Sequence, residues 1–151
     1  MSSPRRPATA ADLALVREEH RVLEDLLRRH QEALVGFEFG SALGELEEFS
    51  RRLRRHIRLE EDVLLPAYAE LGQPPRGGAV RFFLEEHAQI QERVEELLAS
   101  ARGLSVGSTS RAGVVSLIER EARLKALLEH HEQREEKLLL GRLAAALAAA
   151  P

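Results

Sequence analysis

His56-Ile57-Arg58-Leu59-Glu60 and, 75 positions later, His131-Glu132-Gln133-Arg134-Glu135 are two copies of His-x-x-x-Glu. A residue and its i+4 partner lie on one face of an α-helix, about 6 Å apart along the axis, so each copy aims an imidazole and a carboxylate the same way. The same 75-position offset relates Pro66 to Gly141, both poor helix formers. Upstream of each pair a lone histidine sits in a repeated word, Glu18-Glu19-His20 and Glu85-Glu86-His87. Four of the six histidines fall in this duplicated set, so the chain reads as two helical hairpins of one design.

Hydrophobic periodicity predicts four helical stretches. The first opens after Thr9, with Asp12 three residues on as its capping partner, and runs to about Val35 before Gly36. Its inward stripe is Leu13, Val16, His20, Leu23, Leu27 and Leu34. The second starts near Ser41, reads Leu46, Phe49, Leu53, His56, Glu60, Leu64 and Ala67 on one face, and ends around Leu71, with Pro66 kinking or loosening its last turns. After the break Gln73-Pro74-Pro75-Arg76-Gly77-Gly78, a third helix has Val80, Phe83, His87, Ile90, Val94 and Leu97 in phase. A linker from Gly103 to Gly113 leads to the fourth, which carries Val114, Leu117, Leu124, Leu128, His131, Glu135 and Leu138 and continues past Gly141 into an Ala-rich end. Short connections between long helices favour antiparallel neighbours, so the expected fold is all-α, an up-down-up-down antiparallel four-helix bundle. Residues 1–9 are expected to form a flexible segment and 10–151 a single domain.

Composition narrows the chemistry. Hydrophobic residues make up 44%, charged residues 31% and aromatics 4%, a balance that suits amphipathic helices rather than sheets. The net charge of −3 arises from acids and bases interspersed along the helices, without the basic face that nucleic acid requires. There is no cysteine, which removes disulfides, thiolate zinc sites and iron–sulfur clusters and leaves nitrogen and oxygen as the only metal donors. No secretory signal is evident after Arg5 and Arg6, and the apolar tail from Leu138 is interrupted at Gly141 and Arg142. A cytoplasmic protein without a membrane anchor is the expectation.

An ionised Glu on an apolar stripe costs several kcal/mol unless a cation or a dense hydrogen-bond shell compensates it. Glu60 and Glu135 share their stripes with four imidazoles and no Lys or Arg, and neutral imidazole is a good ligand but a poor counter-ion. His20, His56, Glu60, His87, His131 and Glu135 are therefore the candidate metal ligands, in numbers that suit a pair of ions. Iron fits this donor set best, and manganese or zinc would be accepted on ligand chemistry alone. A lone His on a helix stripe is more often a hydrogen-bonded core residue than a ligand; it is the duplication in phase that reverses the balance. His130 is rotated about 100° off the stripe and reads as solvent-facing or supporting. His30 lies near the inner register but about 15 Å from His20 along the axis, too far for the same site. Tyr68 falls off the stripe and reads as boundary packing.

From about Asp12 to Leu140 the set His20, His56-Ile57-Arg58-Leu59-Glu60, His87 and His131-Glu132-Gln133-Arg134-Glu135, with Glu60-Glu61-Asp62-Val63-Leu64-Leu65-Pro66 around the first carboxylate, resembles the hemerythrin-like, or HHE cation-binding, family. The resemblance implies a non-haem pair of irons, carboxylate- and oxo- or hydroxo-bridged, with Glu60 and Glu135 as bridges. His20 and His56 would serve one iron, His87 and His131 the other. Oxygen-carrying members have a further His where this chain has Gln91, and their last carboxylate is an Asp one residue beyond Glu135. These departures speak against a reversible oxygen carrier and imply an open position, for which Glu24, one turn after His20, is the extra candidate.

The expected function is a di-iron protein that binds, senses or reacts with O₂, peroxide or nitric oxide, or takes part in iron and redox homeostasis. Its partner would be a small diatomic or peroxide ligand, and no catalytic residue beyond the metal set is assigned. A ferritin-like oxidase would use Glu-x-x-His, whereas the residues three before each His are Arg17, Leu27, Leu53, Leu84, Leu127 and Leu128. The alternative is a metal-free or mononuclear helical scaffold that binds a partner.

Overall fold

The computed structural model describes residues 5–150, which form helices and turns with no strand among them. Helix α1 (Ala10–Val35) is followed by α2 (Phe39–Leu59), a widened π turn (Glu60–Leu64) and α3 (Leu65–Ala69); α4 (Val80–Arg102) and α5 (Arg111–Arg134) come next, then a second π turn (Glu135–Leu140) and α6 (Gly141–Ala149). Counting each π turn with the helices it joins, these make four rods. They pack α1 on α2, α2 on α4, α4 on α5, and α5 back on α1.

The antiparallel order is visible in the burial. One apolar core gathers Leu23, Leu53, Ile57, Ile90 and Leu128, and a second gathers Leu13, Val16, Leu64, Phe83 and Leu139. Along α1 the second core comes before His20 and the first after it; along the α2 rod the order is reversed, and α4 and α5 repeat the alternation. The histidines and glutamates of the repeat thus form one polar layer between two apolar ones.

Local chemistry sets the ends. Thr9 and Asp12 close a capping box, the Thr9 N–H donating to Asp12 at 2.9 Å and the Asp12 N–H to Thr9 Oγ1 at 3.3 Å. Arg6 adds a bidentate pair to the same carboxylate at 2.7 and 2.8 Å, which, before any other cause, holds Asp12 down at about 2. Of the segment 1–9 expected to be flexible, residues 1–4 lie outside the described residues, and Arg6 and Thr9 are tied to Asp12 in this way. Between α1 and α2 the left-handed residue is Phe37, with φ 56°, rather than Gly36, and the Glu38 N–H reaches back to Ala33 O at 2.9 Å. This tight turn lets α2 begin at Phe39, earlier than the expected Ser41. The linker after α4 is shorter than expected, because Ser110 caps α5 by accepting from the Gly113 N–H at 3.0 Å.

The π turns correct the inward register. Leu65 N–H reaches Glu60 O, five residues back, which leaves Pro66 in the first turn of α3, where a missing donor costs least. Pro66 therefore does not loosen the rod's end. The extra residue rotates the remainder of the rod: Leu64, Leu65 and Tyr68 are buried and Ala67 is half-buried. On the fourth rod Leu139 and Leu140 are buried, and Leu138, expected inside, is half-buried. Tyr68, expected at the boundary, is 1% exposed and donates its hydroxyl to Gly78 O at 2.6 Å. A Cβ on Gly78 would stand 2.6 Å from that hydroxyl, so the approach needs glycine.

His30 is also fully buried. Its Nδ1 faces Ala42 O and its Nε2 faces Glu121, both at 2.6 Å, while Gln31 donates to the second Glu121 oxygen at 3.2 Å. Burial alone would lower the His30 pKa, but Glu121 and then the Ala42 carbonyl more than reverse that, and it is raised. Removing one partner from a buried ion pair strands the other, so His30→Ala or Glu121→Ala is expected to cost about 3–5 kcal/mol, whereas the joint change to leucines costs far less. Because the folded pKa is raised, the pair's stabilisation is complete below the ordinary 6.5 and declines as pH rises through the raised value. Denaturant melts of wild type and the double leucine variant across pH test this; a difference growing with pH would refute it.

Candidate metal centre

Each of the four rods sends one or two side chains of the repeat into the polar layer. His20 projects from α1, His56 from the end of α2, His87 from α4 and His131 from α5, while Glu60 and Glu135 are the first residues of the two π turns. All six candidate ligands come together. The imidazole rings pair edge to face, His20 with His56 at 4.9 Å and His87 with His131 at 4.8 Å between centroids.

The carboxylates link the two pairs. Glu60 turns Oε1 to His56 Nε2 at 2.6 Å and Oε2 to His87 Nε2 at 2.8 Å. Glu135 turns Oε2 to His20 Nε2 at 3.2 Å and Oε1 to His131 Nε2. Two groups of donor atoms result, His20, His56, Glu60 and Glu135 in one and Glu60, His87, His131 and Glu135 in the other, each within 4.8 Å throughout. Both glutamates belong to both groups.

A cation fits this arrangement on a separate ground. His20 Nε2, Glu60 Oε1 and both Glu135 oxygens are buried without a hydrogen-bond partner, although imidazole nitrogens stand close by. Buried polar atoms are satisfied in most folded proteins, and a cluster of orphans pointing at one another is a place that could hold an ion. The donors are all nitrogen and carboxylate oxygen, the set that holds iron, manganese or zinc.

Outside the cluster, carboxylates support the imidazoles from behind. His56 Nδ1 donates to Glu19 at 2.8 Å and His87 Nδ1 to Glu61 at 3.0 Å, and His131 Nδ1 stands 3.5 Å from Glu86. Such partners fix which nitrogen faces the centre and raise the basicity of the ligand. Glu86 is held in turn by Arg134, which also donates to Gly77 O and so ties the loop before α4 to the layer. Sequence reasoning gave Glu19, Glu61 and Glu86 no role. A signal was present for two of them, since Glu19 and Glu86 occupy the same place in the repeated word before each lone histidine. His131 Nδ1 makes no hydrogen bond at that distance, and His20 alone of the four has no carboxylate within 4.0 Å of its Nδ1 among the described residues.

Contrary to the expectation for an extra ligand, Glu24 does not join the set. It is exposed, because the turn from His20 to Glu24 rotates it about 40° towards the surface, where its charge keeps its water. The half-buried Glu132 instead borders the cavity beside His20 and His56. His130 is exposed, as its phase required.

With the imidazoles free to protonate, the layer is a lattice of opposite charges. Burial pulls His56 down, but Glu60 and Glu19 outweigh it and its pKa rises to about 10. Burial is likewise overcome at His87, by Glu135 and Glu60, to about 10, and at His131, by Glu135 and Glu86, to about 9. Burial opposes ionisation of Glu135, yet the imidazoles of His131, His20 and His87 facing it keep it well below the ordinary range.

Residues 1–68 match the Hemerythrin HHE cation binding domain. The matched part ends with the first hairpin, carrying His20, His56 and Glu60; in the second hairpin the hemerythrin-like character rests on the internal repeat, which places His87, His131 and Glu135 in the same layer. No curated protein and no solved structure matches the chain. Over residues 1–68 the chain is similar to that domain, and its buried His/Glu cluster is consistent with a metal site. No helix among the described residues is long and apolar enough to cross a membrane.

A cation can enter the hemerythrin-like cluster only as the imidazoles give up their protons. Loading near pH 7 is therefore expected to release about three protons per chain, from His56, His87 and His131, and apparent affinity should rise with pH up to about 10. Titration of metal into weakly buffered protein with a pH indicator measures the release; uptake without it would refute an imidazolium layer before loading.

Proposed function

We propose that this hemerythrin-like domain holds two iron ions, one between His20 and His56 and one between His87 and His131, with Glu60 and Glu135 shared. We further propose that the pair binds, senses or reacts with dioxygen, peroxide or nitric oxide, or serves iron and redox homeostasis. The observation that carries this reading is that each buried carboxylate turns one oxygen to each histidine pair, while three of the four oxygens, Glu60 Oε1 and both of Glu135, have no hydrogen-bond partner. One ion would leave half of that geometry without purpose. Two imidazoles and two carboxylate oxygens per ion fall short of an octahedral set, leaving room for an exogenous ligand, which favours iron over a closed zinc site.

When bound, an iron pair supplies reversible electron transfer and coordination positions for a small ligand. The chain's own residues set what can approach. The cavity beside the imidazoles is only about 10 Å³, and Leu23, Leu53, Ile57, Ile90 and Leu128 supply its apolar wall. That space is at the lower limit for one water, so it has no room for an organic substrate, and a ligand of only a few atoms is what suits the centre. The leucines also keep bulk water from the carboxylates.

Protein grown with iron should contain about two irons per chain and show charge-transfer absorption in the near ultraviolet. Because Glu135 is common to both groups, Glu135→Ala should lose both irons, whereas His20→Ala should lose about one. A wild type that holds no iron would favour the metal-free scaffold, and a single iron in wild type would favour a mononuclear site.

A further inference from the structure

We propose that the seam between α1 and α5 is the uptake route for divalent metal cations, and that Glu132 hands each ion from the surface to the His20 and His56 side of the centre. The inference rests on the two-ion centre proposed above and concerns how that centre is filled.

Two cavities meet along this seam. The inner one is the small space beside the imidazoles, bordered by Leu23, Leu128 and Glu132 as well as by the ligands themselves. The outer one, about 60 Å³, lies between Leu23, Glu24, Leu27, Leu128, Glu129 and Glu132. Leu23, Leu128 and Glu132 are common to both, so they are the wall between solvent and centre. The centre is also least sealed on this side: the His20 side chain is 14% exposed, against 5% or less for each of the other five candidate ligands.

The mouth of the outer cavity gathers three carboxylates. Glu24, Glu129 and Glu132 have no basic partner within 4.0 Å among the described residues, while their neighbours along the same rods, Asp25, Glu32 and Glu136, are all paired with arginines. Unpaired carboxylates at the rim of a low-dielectric opening raise the local concentration of cations and exclude anions. At the inner end, fully buried Glu135 has both oxygens without a hydrogen-bond partner, and His20 Nε2, 3.2 Å away, is orphaned as well. Unsatisfied donor atoms therefore lie at the end of the path that the acidic rim begins.

Between rim and centre a cation must pass two leucines. Crossing an apolar wall bare would cost far more than thermal energy, so a ligand has to accompany the ion. Of the residues common to both cavities only Glu132 offers a donor atom, and it is half-buried on α5 next to His131 and one turn before Glu135. Its carboxylate can replace a water of the hydrated ion at the rim and yield it to the His20, His56 and Glu135 donors inside. The same wall would also pass a neutral diatomic molecule, but that traffic needs no carboxylate.

The test is anaerobic stopped-flow loading of the metal-depleted full chain with ferrous iron. Glu132→Gln is expected to slow loading by at least roughly tenfold, with the final metal count unchanged. The joint Glu24→Gln and Glu129→Gln variant should load several-fold more slowly and lose most of the wild type's slowing by salt. Glu92→Gln with Glu96→Gln, on α4 away from the seam, is the charge-matched control and should load like wild type. Wild-type rates in the Glu132→Gln variant would overturn the route while leaving the centre standing. A lowered final count in that variant would overturn the transfer role, since it would make Glu132 a resident ligand. A wild type that takes up no metal would overturn the centre itself, and the route with it.

Discussion

Two carboxylates buried in the middle of a helical bundle are the constraint around which this molecule is built. Glu60 and Glu135 are fully buried, with apolar cores above and below. Desolvating even one carboxylate costs several kcal/mol, a large share of the total stability of a domain this size. The four imidazoles offset that cost only because all four rods bring a nitrogen to the same level. Each carboxylate also opens a π turn, the widened backbone that re-aims the next turns of its rod; such turns cluster at functional sites, and here two of them occur 75 residues apart at the same step of the repeat.

The two hairpins are alike inside the layer and diverge outside it. Glu61, next to Glu60, supports His87 from behind. Its counterpart in the repeat, Glu136, would be placed to support His20 but is instead taken by Arg17 through two bonds at 3.1 and 3.2 Å. The position that matches Arg17 in the other hairpin is Leu84, which leaves Glu61 free of competition. His20 is thus the least supported and most exposed imidazole, and the centre has a tight side and a loose one although the sequence motif is symmetric.

The polar layer is legible in the sequence because helix phase, not local detail, decides it. His20, His56, His87 and His131 replace leucines on stripes that are otherwise apolar, and a 3.6-residue period carries that information without knowledge of the partner helix. Phase also explains where the sequence misleads. Extrapolating an α-helical period through Glu60–Leu64 puts Ala67 inside and Tyr68 at the edge, the reverse of the structure, since a π turn inserts one residue that no propensity announces. Spacing alone misplaces Glu24 because a step of four residues preserves the face only to within about 40°, enough to move a side chain from the layer to the rim. The supporting glutamates are hidden for another reason: Glu19 and Glu86 reach across to histidines of different helices, and such pairings depend on which rods are neighbours.

His30 and Glu121 show why burial of a His–Glu pair does not by itself mark a metal site. They are as buried as His87 and Glu60 and closer than His20 and Glu135, yet each polar atom of the pair is answered: Ala42 O takes one imidazole N–H, one Glu121 oxygen takes the other, and Gln31 donates to the remaining oxygen. With nothing left over, a cation would have to displace hydrogen bonds to enter, and the pair acts as an internal bolt between α1 and α5. In the layer between His20 and Glu135 the same residue types leave four donor and acceptor atoms facing one another unsatisfied. The distinction lies in geometry: a shared level, two carboxylates spanning two imidazole pairs, and a deficit of hydrogen bonds that a cation at the centre would remove.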